Sequence, residues 1–124
     1  MITLTDTIKT FDVDDSYIFV SQIQSYGVIP IVEEEEDIMI YKNRSMNVIE
    51  KIVVDEKRIA FWYTGSIQNS SGIDPDHPFI KIIYREDHKE LFKCESPGIN
   101  VLNINKSSIV YGDYYGALII YDFR

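Results

Sequence analysis

Residues 102–113, LNINKSSIVYGD, set an apolar strand end, a short polar turn and a second apolar strand side by side. The same plan recurs upstream in residues 51–66, KIVVDEKRIAFWYTGS, and again in residues 11–22, FDVDDSYIFVSQ. Aligning Val13, Val54 and Ile104 places the three copies 41 and 50 residues apart. The longer second interval is accounted for by the irregular stretch GSIQNSSGIDPDHP at 65–78. Each hairpin is then followed by a further apolar run closed by acid: IPIVEEEED, IKIIYRED and LIIYDFR. Self-similarity at a period of roughly 20 to 50 residues is the signature of stacked supersecondary units. The sequence therefore predicts three similar antiparallel meanders.

Outside these copies the pattern is the same. Segments alternate apolar and polar residues or form short β-branched runs, and no window carries apolar residues at helical spacing over three turns. About eleven strands are predicted, at 2–10, 17–22, 28–32, 38–41, 48–54, 59–64, 79–84, 91–94, 101–104, 109–111 and 117–121. The breaks carry turn chemistry: Asp14-Asp15-Ser16, Asp55-Glu56-Lys57, Glu86-Asp87-His88, Asn105-Lys106-Ser107 and Asp113-Tyr114-Tyr115-Gly116. The stretch 65–78 is expected to be a surface loop, long for a compact domain and of the kind that often carries function. The fold class is all-β, built from antiparallel hairpin repeats in three blade-like units, and the closure could be propeller-like, a trefoil or a sandwich.

A chain of 124 residues, 45% hydrophobic and 13% aromatic, is expected to be one all-β domain over 1–124 with a packed core. The lone cysteine, Cys94, excludes an internal disulfide framework and fits a reducing, cytoplasmic setting. The first residues, MITLTDTIKTFDVDD, show no basic leader followed by an apolar run, and no stretch is apolar for long enough to span a bilayer. Export and membrane insertion are not expected.

The net charge of −8 is unevenly placed. Residues 1–41 hold nine acids against the single base Lys9, whereas the eleven acids and eleven bases from Lys42 onward cancel. Such a field repels phosphate backbones and anionic lipid, so neither nucleic acid nor membrane is an expected ligand. A basic protein is the natural complement, since opposite potentials speed encounter and set orientation. The densest feature is Glu33, Glu34, Glu35, Glu36 and Asp37. Five adjacent carboxylates without apolar payload are expected at an exposed hairpin tip. There they can protect a sheet edge or accept charge-assisted hydrogen bonds from Arg and Lys. Asp14 and Asp15 extend this acidic character.

Aromatics supply the packing half of an interface. In FWYT, residues 61–64, alternation puts Phe61 and Tyr63 on one face and Trp62 on the other, so one face is expected to present large rings outward. In YGDYYG, Tyr111, Asp113, Tyr114 and Tyr115 crowd a glycine-flanked turn expected at the surface. Tyr and Trp beside acids are typical anchors for a basic partner, although both are also common sheet formers.

Catalytic signatures are missing. There is no Gly-rich phosphate loop, nucleophile elbow or zinc-spaced set of Cys and His. Asp12, Asp14 and Ser16 alternate as in a calcium loop, but Tyr17 stands where that loop needs Gly and Ile23 where it needs Glu. His77, in DPDHP with Asp74 and Asp76, is the one candidate base; His88 reads as a hairpin turn residue and Cys94 as a small buried hydrophobe. No metal, cofactor or enzymatic activity is expected.

The third unit, INVLNINKSSIVYGDYYGALIIYD, resembles the inner strands of a WD-repeat propeller blade, with Tyr121-Asp122 in the place of that family's Trp-Asp pair. The Gly-His dipeptide of those repeats is lacking in all three units. In size, charge and style the chain also resembles the small acidic immunity proteins of bacterial toxin systems, such as contact-dependent growth inhibition. That resemblance implies a binding protein that neutralises a basic toxin domain, for instance a nuclease, with the EEEED hairpin imitating phosphate. The alternative is a blade-like interaction scaffold without inhibitory role. A hydrolase or ligand-binding barrel using Asp74, Asp76 and His77 ranks last, because a lone histidine with two carboxylates in a flexible loop has no held geometry.

Overall fold

The computed structural model describes residues 3–4, 7–23, 25–31, 38–42, 47–66, 78–95, 99–105, 108–113 and 115–122. Eleven strands form three antiparallel sheets, each a simple meander. The first sheet is β1 (Ile8–Val13), β2 (Tyr17–Gln22), β3 (Ser25–Pro30) and β4 (Met39–Lys42). The second is β5 (Asn47–Val54), β6 (Arg58–Ser66), β7 (Phe79–Tyr84) and β8 (Glu90–Glu95). The third is β9 (Ile99–Ile104), β10 (Ser108–Asp113) and β11 (Leu118–Asp122). There is no helix among the described residues, and hence none long and apolar enough to cross a membrane.

Val13, Val54 and Ile104 are the last residues of β1, β5 and β9, the first strands of the three sheets. Each is followed by the same tight turn. The Asp14 N–H donates to the Tyr17 carbonyl at 3.0 Å, Asp55 N–H to Arg58 at 3.1 Å and Asn105 N–H to Ser108 at 3.0 Å. The side chain of each turn's first residue folds back over it. Asp14 Oδ1 accepts the N–H groups of Ser16 and Tyr17, Asp55 Oδ1 those of Lys57 and Arg58, and Asn105 Oδ1 that of Ser108. An Asx side chain satisfying the backbone two and three residues on is what makes Asp and Asn turn formers. The repeat seen in the sequence is thus a repeat of hairpin geometry.

The first strand runs through Phe11 and Val13 directly into its turn, later than the alternation at 2–10 suggests. β3 begins at Ser25, three residues before the predicted Val28, because Gly27 is a close-packing residue and not a breaker. A Cβ there would lie 3.0 Å from Ile40 Cδ1 and 3.2 Å from Val20 Cγ2.

The sheets stack with the second in the middle. Its one face, with Ile52, Phe61, Tyr63 and Ile83, joins Phe19 and Tyr26 of the first sheet in one core. Its opposite face, with Ala60, Trp62, Ile80 and Ile82, joins Leu102, Ile104, Ile109 and Tyr111 of the third sheet in a second core. Alternation along β6 therefore separates two cores, not core from water. This corrects the expectation of outward aromatics: Phe61, Trp62 and Tyr63 are all buried, Trp62 at 6% exposure, and so is Tyr111.

Candidate protein-binding cleft

An open cleft of about 1070 Å³ lies between the first two sheets. Its apolar wall is supplied by Tyr17 and Phe19 on β2, Val28 on β3, Met39 and Tyr41 on β4, and Tyr84 at the end of β7. Met39, Tyr17 and Tyr84 are exposed. Charged groups ring this surface: Glu56 and Lys57 from the β5–β6 turn, Arg85 and Glu86 from the β7–β8 turn. The cleft exists because alternating residues of β2 and β4 point into the inter-sheet gap, and the outer strands of the two sheets stand too far apart for their side chains to fill it.

Arg85 holds one end of the cleft. Its Nη1 donates to Asp14 Oδ2 at 2.6 Å and to the Asp55 carbonyl at 2.7 Å, tying the first turn of one sheet to the first turn of the next. Its guanidinium lies over the Phe19 ring, 4.7 Å from the centroid. Burial pushes the Asp14 carboxyl up, but the bonds from Ser16, Tyr17 and Arg85 together outweigh it and hold its pKa below the ordinary value. Arg58 repeats the device one sheet along, pairing with Asp55 Oδ2 and donating to the Asn105 carbonyl at 2.8 Å. An arginine thus bridges successive hairpin turns at both junctions.

His88 holds the other end. It sits in the β7–β8 turn at φ 61°, the one non-glycine residue with positive φ among those described, in the left-handed region where histidine is enriched. Its ring packs 4.2 Å from Tyr41 and 5.8 Å from Tyr26, and Tyr26 Oη lies 2.5 Å from His88 Nδ1. Burial lowers the pKa of His88, an effect larger than the opposing pull of Asp87. Burial, with Tyr63 and Tyr41 nearby, raises that of the Tyr26 phenol. Both shifts favour a neutral pair in which the phenol O–H donates to Nδ1.

The sequence-named residues fall in different places. Asp14 uses both carboxylate oxygens within the chain, so it is a structural tie at the cleft's end. Asp15 is exposed at the tip of the first turn. Tyr115 is 87% exposed beside Gly116 at φ 87°, and Trp62 lies in the second core. Cys94 is half-buried, its thiol pushed up by burial more than the bond with the Ile80 backbone lowers it. Glu33, Glu34, Glu35, Glu36 and Asp37 lie outside the described residues, as do Tyr114, Asp74, Asp76, His77 and the side chain of Asp113. The run 33–37 nevertheless belongs to the connection between β3 and β4, two strands that line the cleft. No three His, Cys, Asp or Glu side chains gather to hold a metal ion among the described residues.

What the sequence reading missed is the set Tyr17, Tyr41, Tyr84, Arg85 and His88. Their common signal is weak in one dimension, since they come from three strands and a turn.

No protein-family model matches this chain, and no curated protein matches it. Among solved structures, the crystal structure of the computationally designed Ika4 protein is similar over 97% of this chain and 93% of that one, at 7% identity and a TM-score of 0.49.

Proposed function

We propose that this chain is a non-catalytic protein-binding module, which takes a basic partner into the cleft between its first two sheets and inhibits it as an immunity protein inhibits a toxin domain. The observation that carries this reading is the exposed aromatic cleft whose lining strands β3 and β4 are joined by the segment bearing Glu33 to Asp37. Tyr17, Tyr41 and Tyr84 supply large, rigid contact area at low entropic cost. Glu56, Glu86 and the acidic run supply acceptors for Arg and Lys. Exposed rings framed by acids are the composition of an interface hot spot for a cationic partner. The segregation of the whole net charge into residues 1–41, which include Tyr17, Phe19, Val28, Met39 and Tyr41 of the apolar wall, adds steering toward such a partner. A reducing, cytoplasmic setting accords with the single free thiol.

The test is affinity capture with the tagged chain from its native cell extract at low and high salt, followed by titration of the captured protein. The expected partner is basic, loses activity when bound, and binds more weakly at high salt. Reversing the charges at 33–37 should slow its association, and Tyr84→Ala should speed its dissociation. A partner unaffected by salt and by both changes would overturn the reading.

A further inference from the structure

Each internal junction joins one face of a sheet to a face of the next, and one face at each end of the stack is left over. The registers place Phe11, Val13, Ile18, Val20, Ile29 and Ile40 on the outer face of the first sheet. They place Val101, Val110, Leu118 and Ile120 on the outer face of the third. Phe11 is 64% exposed, Val101 62% and Leu118 70%, and Val13 and Ile40 are exposed too, while Val20 and Ile29 between them are buried beneath their neighbours. Both faces carry a glycine at their middle, Gly27 against Val20 and Ile40, and Gly112 against Val101. Each glycine lets the aliphatic side chains of its own face close over it, which gives that face a continuous apolar surface.

We propose that these two faces are the halves of one more junction of the same kind, formed with a second copy of this chain. The third sheet of each copy packs on the first sheet of the other, and two chains close a ring of six sheets. This does not rest on the cleft, which uses the opposite face of the first sheet.

Three observations point to a second copy as the occupant. First, the internal junctions repeat one geometry: β1 and β2 lie against β5, and β5 and β6 lie against β9. The same step applied again brings β9 and β10 of one chain against β1 of another. Second, the sheets diverge away from their first strands. The backbones of successive sheets meet at β1, β2 and β5 and at β5, β6 and β9, whereas outward the gap is spanned by rings, with Tyr26 against Phe61 at 4.8 Å and Phe92 against Tyr121 at 5.6 Å. The outer gap between the first two sheets even opens into the cleft. Wedges that turn the same way at each step curve toward closure, and a head-to-tail contact makes a ring when its rotation closes. Third, blade rings typically hold about four to eight sheets, so of the multiples of three only two copies fit. The area is adequate as well. A face of three strands by five residues covers ~240 Å², and two junctions hiding both faces cover ~1,000 Å², the lower bound for a specific interface.

The experiment is sedimentation equilibrium of the full chain at micromolar concentration, with Phe11→Lys on β1 and Val101→Glu on β9 as variants. The chain is expected at twice its 14.4 kDa mass. Each variant alone should fall to 14.4 kDa, because both junctions of its ring would carry a buried, unpaired charge. An equimolar mixture should recover the doubled mass, since the mixed ring has one native junction and one with Lys opposite Glu. Unchanged far-UV circular dichroism and Trp62 emission establish that the variants are folded; Val110→Glu, on the same face, replaces Val101→Glu if they do not. A monomeric parent chain, masses that grow without limit, or a mixture that stays at 14.4 kDa would each overturn the proposal. So would a dimer sensitive to Phe11→Lys and indifferent to Val101→Glu, which would indicate first sheet on first sheet.

Discussion

Asp55 offers the sharpest test of what ties one sheet to the next, because the third sheet contains its natural control. Asp55 Oδ1 accepts the N–H of Lys57 at 3.0 Å and of Arg58 at 2.8 Å, while Oδ2 accepts Arg58 Nε at 3.1 Å and Nη2 at 2.5 Å. The Arg58 side chain is 11% exposed, so it depends on this pairing. Truncation to alanine removes a backbone cap, worth about 1 kcal/mol by comparison with helix caps. It also takes the paired carboxylate away from a largely buried guanidinium, at about 2 kcal/mol more. Asp55→Ala is therefore expected to cost ~3 kcal/mol, the sum of the cap and the charge contribution. Asp55→Asn keeps the capping oxygen, as Asn105 does in the third sheet, and should cost about half as much. Asn105→Ala should cost about 1 kcal/mol, the cap alone. At about 4 °C per kcal/mol for a chain of this size, the three melting points should fall by ~12, ~6 and ~4 °C. Denaturant unfolding followed by emission of the single tryptophan, Trp62, reads the same order at one fixed protein concentration. An Asp55→Asn variant as weak as Asp55→Ala, or an Asn105→Ala variant weaker than either, would refute the reasoning.

Other expected outcomes follow from single features. His88 has a lowered pKa in the folded chain, so the unfolded chain binds more protons and stability should fall as pH drops through the ordinary histidine value of 6.5; in His88→Asn, which keeps a residue tolerant of positive φ, urea midpoints at pH 5 and 7.5 should lie closer together than in the parent. Gly116→Ala should cost about 1 to 2 kcal/mol from the backbone alone, since φ is 87° and a Cβ there meets nothing within 4 Å; calorimetry checks it. Ile82→Ala, at 0% exposure in the second core, should cost ~3 kcal/mol as a cavity in a site walled by two sheets. The Cys94 thiol, raised by burial, should react with a disulfide reagent at neutral pH much more slowly than in the chain unfolded by guanidinium.

The repeat was legible because it is written in residues close in sequence. A strand end, an Asx turn and a strand fit within a dozen positions, and the backbone bonds of Asp14, Asp55 and Asn105 are local. Strand number and order within each sheet followed, because a meander needs no information beyond its turns. What the sequence hid is how the sheets meet. Phe61-Trp62-Tyr63 alternates as a half-exposed strand does, and nothing in that pattern distinguishes water from a second sheet on the far side. Tyr111 was misplaced for the same reason, its glycine neighbours suggesting a turn that begins only after Asp113. The cleft was invisible for a related one: Tyr41 and His88 stand 47 positions apart and are joined only when β4 and the β7–β8 turn come to face each other.

Period-two alternation along β4 lets one strand serve both proposed surfaces. Met39 and Tyr41 line the cleft, while Ile40 between them points to the outer face beside Gly27. A partner in the cleft and a second copy on the outer face therefore engage opposite sides of the same four-residue strand without competing for a side chain. The two-fold ring would carry two clefts, one on each chain, so titration of a ring with its partner should saturate at one partner per chain, with Phe11→Lys changing the mass of the complex and not that ratio. If Phe11→Lys abolished partner binding as well, the cleft would need the ring to hold β4 in place, and the two surfaces would be one device.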